Sequence, residues 1–151
     1  MCGKSALQKK LETAKPKPVF YIVAADVKAL YPSLHRDTVT KALECALEKH
    51  SDYSAEARKI IVELNKICLN KMATQYGDQL YIQKNGIITG DNHSVSLANI
   101  AVYCILQPIA DVLNMAERFR RFIDNIIWIS ATEISNERIR QALTSAFENS
   151  D

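Results

Sequence analysis

The chain has 151 residues, a mass of 17.0 kDa and a formal charge of +2 from 19 basic and 17 acidic side chains. At this length one compact domain is expected, and 48% apolar with 24% charged residues excludes a disordered or low-complexity chain. The charge is too small to name a nucleic-acid partner, and only four glycines and four prolines point to long, helix-rich elements.

Residues 1–18 are lysine-rich and end in Lys15-Pro16-Lys17-Pro18, where the prolines hold the chain extended, so they read as a basic N-terminal arm. Residues 20–25 form a short apolar run between those prolines and Asp26, the pattern of a strand buried on both faces. After a turn at Tyr31-Pro32-Ser33, two apolar sets follow helical spacing: Val39, Leu43, Ala46 and Leu47, then Ala57, Ile60, Ile61, Leu64, Ile67 and Cys68. Residues 76–84 suit a strand and Asn85-Gly86 a turn. Residues 94–113 are apolar nearly all round and predict a largely buried central helix. Residues 121–131 read as two short strands interrupted at Asp124-Asn125. Ile139, Ala142, Leu143, Ala146 and Phe147 mark a last helix. This order fits an α+β fold with helices packed on an antiparallel sheet.

The cysteines Cys2, Cys45, Cys68 and Cys104 have no paired spacing, and no signal-peptide pattern opens the sequence. An intracellular protein of nucleus or cytoplasm, not secreted and without disulfides, is expected. The apolar run at 95–106 is shorter than the ~20 residues of a membrane span, so no membrane partner is expected. Gly3-Lys4-Ser5 lacks the earlier glycine of a phosphate loop, and His35, His50 and His93 show no zinc spacing with the cysteines.

Asp26 and Asp124 each end an apolar strand, where a carboxylate is costly unless it meets a cation or strong donors. A metal site explains such a pair, and a turn-capping role explains either acid alone. The sequence Asp26-Val-Lys-Ala-Leu-Tyr-Pro-Ser33 resembles the first acidic motif of reverse transcriptases, especially the Penelope-like retroelement group, with Tyr31 as its aromatic residue. Residues 86–100 resemble the second motif, with Gly86, Gly90, Ser94, Leu97, Ala98 and Asn99 in register. Residues 121–129 resemble the third, an aromatic hairpin that ordinarily carries adjacent aspartates.

The resemblance implies the palm of an RNA-directed DNA polymerase over residues 19–150, with no room for fingers or thumb. It further implies nucleotidyl transfer with two Mg²⁺ or Mn²⁺ ions, held by Asp26, Asp124 and the Val27 carbonyl. A template-primer of RNA or DNA and a dNTP would be the partners. By motif position Tyr31 would lie beneath the incoming sugar, and Gly90 and Ser94 would floor the template base pair. Asn125 stands at the catalytic position of a second aspartate, which removes a charge, leaves a neutral oxygen and is expected to weaken ion binding. The expected function is therefore the catalytic palm of a retroelement polymerase, as a fragment or degenerate copy. The alternative is a non-catalytic palm-fold module that binds nucleic acid or a protein partner.

Overall fold

The computed structural model describes residues 19–50, 52–71, 73–90 and 92–149; the expected arm at 1–18 lies outside them. Strand β1 (Tyr21–Asp26) is followed by a tight turn in which Ala29 takes φ 52°, and by the single helical turn α1 (Leu30–Ser33). Helices α2 (Arg36–His50) and α3 (Ala55–Asn70) follow, as their apolar spacing predicts. The Ser54 hydroxyl caps α3 by accepting from the Ala57 N–H at 3.2 Å.

The region expected to hold one strand is a hairpin, β2 (Ala73–Tyr76) paired with β3 (Gln79–Ile82). Its turn is Gly77-Asp78, where Gly77 supplies φ 60°, so Tyr76 closes the first strand rather than opening one. The central helix α4 (Asn92–Leu106) ends earlier than expected, because Pro108 removes a backbone donor. A 3₁₀ turn (Gln107–Ile109) and the short α5 (Ala110–Leu113) continue it. Together His93–Leu113 run 21 residues and contain an 18-residue stretch of mean hydropathy 1.5, long and apolar enough to cross a membrane by length and composition. In this fold Leu97, Ala98, Ala101, Val102 and Leu106 of that run are buried in the core, and Tyr103 is exposed.

Strands β4 (Arg118–Phe122) and β5 (Asn125–Ser130) form the second hairpin, and α6 (Glu133–Glu148) closes the described chain. The sheet is antiparallel in the order β1-β5-β4, with Tyr21 opposite Ser130, Asp26 opposite Asn125 and Phe122 opposite Asn125. This is the expected α+β architecture of an antiparallel sheet backed by helices. Alternation along β5 buries Ile126, Trp128 and Ser130 against the helices and turns Asn125 and Ile127 to the opposite face. On β1 that opposite face carries Ile22, which is 69% exposed. β1 is thus not buried on both faces: on the helix side only Val23 is packed against the core, while Tyr21 and Ala25 are exposed.

One polar tie joins α6 to β5, and a cap fixes where the helix starts. The Trp128 indole donates to Asn136 Oδ1 at 2.9 Å, and Thr132 caps the helix by accepting from the Ser135 N–H at 3.1 Å. Between α2, α4 and α6 lies a cleft of about 530 Å³ lined by Cys45 and Cys104.

Candidate functional site

The open end of the sheet gathers the acidic residues. Asp26 is the last residue of β1 and stands directly opposite Asn125, so both side chains occupy the uncovered face with Cβ atoms about 5 Å apart. The Val27 N–H donates to the Asp124 carbonyl at 3.0 Å, which extends the β1–β5 pairing by one bond and holds Asp124 beside the end of β1. Asp26 and Asn125 are exposed, and Asp124 is half-buried.

The hairpin turn is Ile123-Asp124, one residue earlier than the expected break, and Asn125 is the first residue of β5. Ile123 adopts φ 55°, a left-handed conformation that a β-branched side chain resists. Arg121 holds it there. Its guanidinium donates to the Ile123 carbonyl at 3.0 Å, to Asn99 Oδ1 at 2.7 Å and to the Asn99 carbonyl at 3.4 Å. Burial draws the pKa of this half-buried group below its ordinary value. The second and third motifs therefore meet through one cation.

Asn125 is engaged with its neighbour: its side-chain amide donates to Asp124 Oδ1 at 2.9 Å. One oxygen of the carboxylate is thus bonded within the turn. Among the described residues no three His, Cys, Asp or Glu side chains group to hold a metal ion.

The first and second motifs also meet. The Ile87 N–H donates to the Tyr31 carbonyl at 2.9 Å, and a Cβ built on Gly86 would stand 2.7 Å from both Pro32 Cα and the Tyr31 carbonyl oxygen. Only glycine permits that approach, at φ 73°. Arg36 at the start of α2 clamps the same loop, donating to the Gln83 carbonyl, to the Gly86 carbonyl at 3.4 Å and to Asn70 Oδ1 at 3.4 Å. Tyr31 is half-buried against the core, Gly90 is exposed at φ 95°, and Ser94 is fully buried, its hydroxyl without a partner among the described residues.

Neither Arg36 nor the tie from Arg121 to Asn99 was evident from residue type alone. Strand alternation does carry a signal for Arg121, since it separates this residue from Arg118 and Arg120 and turns it inward. Arg36 carries none, because its partners, Asn70, Gln83 and Gly86, are distant in the sequence.

No protein-family model matches the sequence, and no curated protein does. Among solved structures the fold is similar to apo telomerase from Candida tropicalis, with a TM-score of 0.70 at 13% identity over 95% of this chain and 28% of that one. It is also similar to apo telomerase from that organism truncated from its C-terminal domain, with a TM-score of 0.65 at 16% identity over 89% of this chain and 28% of that one. This chain spans less than a third of either telomerase chain. The likeness is one of fold and does not single out the Penelope-like group.

Proposed function

We propose that this chain is the palm portion of an RNA-directed DNA polymerase, of the retroelement type that its motifs resemble, serving divalent-metal nucleotidyl transfer on an RNA or DNA template-primer. The observation that carries this reading is the meeting of Asp26, Asp124 and Asn125 at one open end of a palm-like sheet. Two carboxylates and nearby backbone carbonyls make a hard oxygen set that suits Mg²⁺ or Mn²⁺. That set fits one divalent ion held by Asp26 and Asp124. The second ion of a two-ion site would lack the carboxylate that Asn125 replaces.

A bound ion supplies charge neutralisation on phosphate and activation of the attacking hydroxyl. The chain's own residues position what surrounds it. Arg121 fixes the hairpin tip that presents Asp124, and the Asn125 amide orients that carboxylate. The lock between Tyr31 and Gly86 holds the aromatic residue and the Gly90 loop as one unit beside α2. dNTP and template-primer belong to this proposal as partners.

The engagement of Asn125 on Asp124, with two acids rather than three, favours a second reading: a palm-fold module that binds nucleic acid without catalysis. Mn²⁺ titration followed by electron paramagnetic resonance, on wild type, Asp26→Asn and Asp124→Asn, tests the ion site. Binding lost in both variants supports it, and no binding or equal binding in all three overturns it. Primer extension with Mg²⁺ or Mn²⁺ separates the two readings. The 151-residue chain alone is expected to show no templated synthesis, since it spans 28% of the telomerase chains whose fold it shares and positioning supplies most of such rates.

A further inference from the structure

We propose that Cys45 on α2 and Cys104 on α4 form a dithiol modification site, where a small carboxylate-bearing disulfide enters the cleft and is exchanged for a Cys45–Cys104 bond that staples the two helices. The site stands apart from the acidic end of the sheet and does not depend on an ion there. Ala42 and Cys45 are three residues apart on α2 and share a face, as Ala101 and Cys104 do on α4. All four line the cleft of about 530 Å³ between α2, α4 and α6. A disulfide needs Cα atoms within about 7 Å, and side chains this small let two helices approach closely. In a helix the Ala42 carbonyl points at the N–H of Ala46, past Cys45. The Cys104 thiol donates to that carbonyl at 3.9 Å and is also in hydrogen-bond contact with Cys45. The described cysteines are free thiols, and Cys68, exposed on α3, does not line the cleft.

The lining selects the reagent. Ile105, Pro108 and Ile109 make the cleft largely apolar, and among the described residues that line it Lys41, exposed, carries the one charge. No acidic side chain lines it. An anionic disulfide is therefore drawn to the mouth, and a cationic one is repelled. The volume is that of a pocket for a small organic molecule, enough for one arm of a peptide-sized disulfide.

Exchange runs in two balanced steps. The Cys45 thiolate attacks one sulfur of the small disulfide, forms a mixed disulfide and expels a thiolate, which takes up the proton that Cys45 lost. The Cys104 thiolate then attacks Cys45 Sγ and expels the second thiolate, which takes up the proton from Cys104. The small disulfide is thus reduced by two electrons to two thiols, and the cysteine pair is oxidised by two. Burial first, then Cys45, holds the Cys104 thiol protonated in the reduced protein, so the first attack falls to Cys45. In the mixed disulfide Cys45 carries no charge, while Lys49 still favours the Cys104 thiolate that resolves it.

The test incubates the reduced full chain with oxidised glutathione, an anionic disulfide, or with cystamine, a cationic one, at one pH near neutrality. Quenched samples are read by intact mass and by peptide mapping without reductant. Oxidised glutathione is expected to give a linked Cys45–Cys104 peptide pair, two hydrogen atoms lighter and reversed by dithiothreitol, while Cys68 carries only glutathione. These readings come from wild type itself, so a misfolded variant cannot imitate them. Because the new bond closes a long loop, the oxidised protein should melt about 5 °C or more above the reduced one, and Cys45→Ser should show no such gain. Lys41→Gln should slow closure by oxidised glutathione about threefold. Glutathione that stays on Cys45 without closure, or modification of Cys68 alone, would overturn the pairing. Cystamine that closes the pair as fast as oxidised glutathione would overturn the assignment to an anionic reagent.

Discussion

Arg121 on β4 and Asn99 on α4 meet at 2.7 Å, and the same guanidinium holds the carbonyl of the strained Ile123. One side chain thereby sets the hairpin tip against the central helix. Arg121→Met leaves these acceptors without their donor and is expected to cost about 2 kcal/mol, the range for hydrogen bonds to a charged group. Urea denaturation of Arg121→Met, Asn99→Ala and the double variant checks this. The two losses should not add, because both report one shared contact.

Two glycines separate conformational strain from collision. Gly77 has positive φ with open space where a Cβ would project, so Gly77→Ala is expected to cost about 1 kcal/mol. Gly86 adds a collision at 2.7 Å with the backbone of Tyr31 and Pro32, which cannot yield as a flexible side chain can. Gly86→Ala should therefore cost about 3 kcal/mol or more, placing it among the rare severe substitutions. Chemical denaturation of both variants decides the order, and equal losses would mean that the loop moves aside.

Asn125→Asp restores a third carboxylate with almost no change of volume. Without metal it should lower the melting temperature, since the new charge loses the amide bond to Asp124 and repels that carboxylate. With Mg²⁺ or Mn²⁺ it should gain more than wild type, because ligand charge raises affinity for hard cations and binding to the native state stabilises it. Thermal melts across a metal series check both signs.

Burial pushes the Cys104 thiol above its ordinary range, with Cys45 as the next cause, whereas Cys68 is exposed. Iodoacetamide near neutral pH should label Cys68 ahead of Cys104, with Cys104 labelling rising only above the ordinary thiol pKa of about 8.5. Peptide mass spectrometry after timed quenching reads the order. Since unfolding returns the thiol to its ordinary value, this group lowers stability as pH rises past that value.

Helical spacing made α2, α3 and α6 legible as helices: Val39, Leu43, Ile139 and Leu143 of the spaced sets on α2 and α6 are buried, whereas on α3 the spaced Ile60, Leu64 and Ile67 are exposed and Val62, Asn65 and Leu69 are buried instead. The motif at Asp26 and the hairpin at Asp124 were legible as acids at the ends of apolar strands. Their register was not: the turn fell at Ile123-Asp124, where isoleucine carries the positive φ that sequence rules assign to Gly or Asn. That choice is fixed by Arg121 from outside the turn. The β2–β3 hairpin was missed although Gly77-Asp78 is a known hairpin pair, because its strands are short and both faces are exposed. The slight cover of β1 could not be read either, since an apolar run looks the same whether one face, both or little of either is packed.

The pairing of Tyr21–Asp26 with Asn125–Ser130 also has a kinetic side. Partners in that ladder lie about a hundred residues apart in sequence, so β1 leaves a ribosome long before the strand that pairs with it exists. At roughly 5–20 residues per second the delay is on the order of ten seconds. During it the apolar run remains an unpaired edge while α2, α3 and the β2–β3 hairpin, built from near neighbours, have time to form. The sheet that gathers the acidic residues thus assembles late, once β5 has been made, and its loop-closure entropy makes that step slow. A growing chain that stops short of β5 has no three-stranded sheet at all.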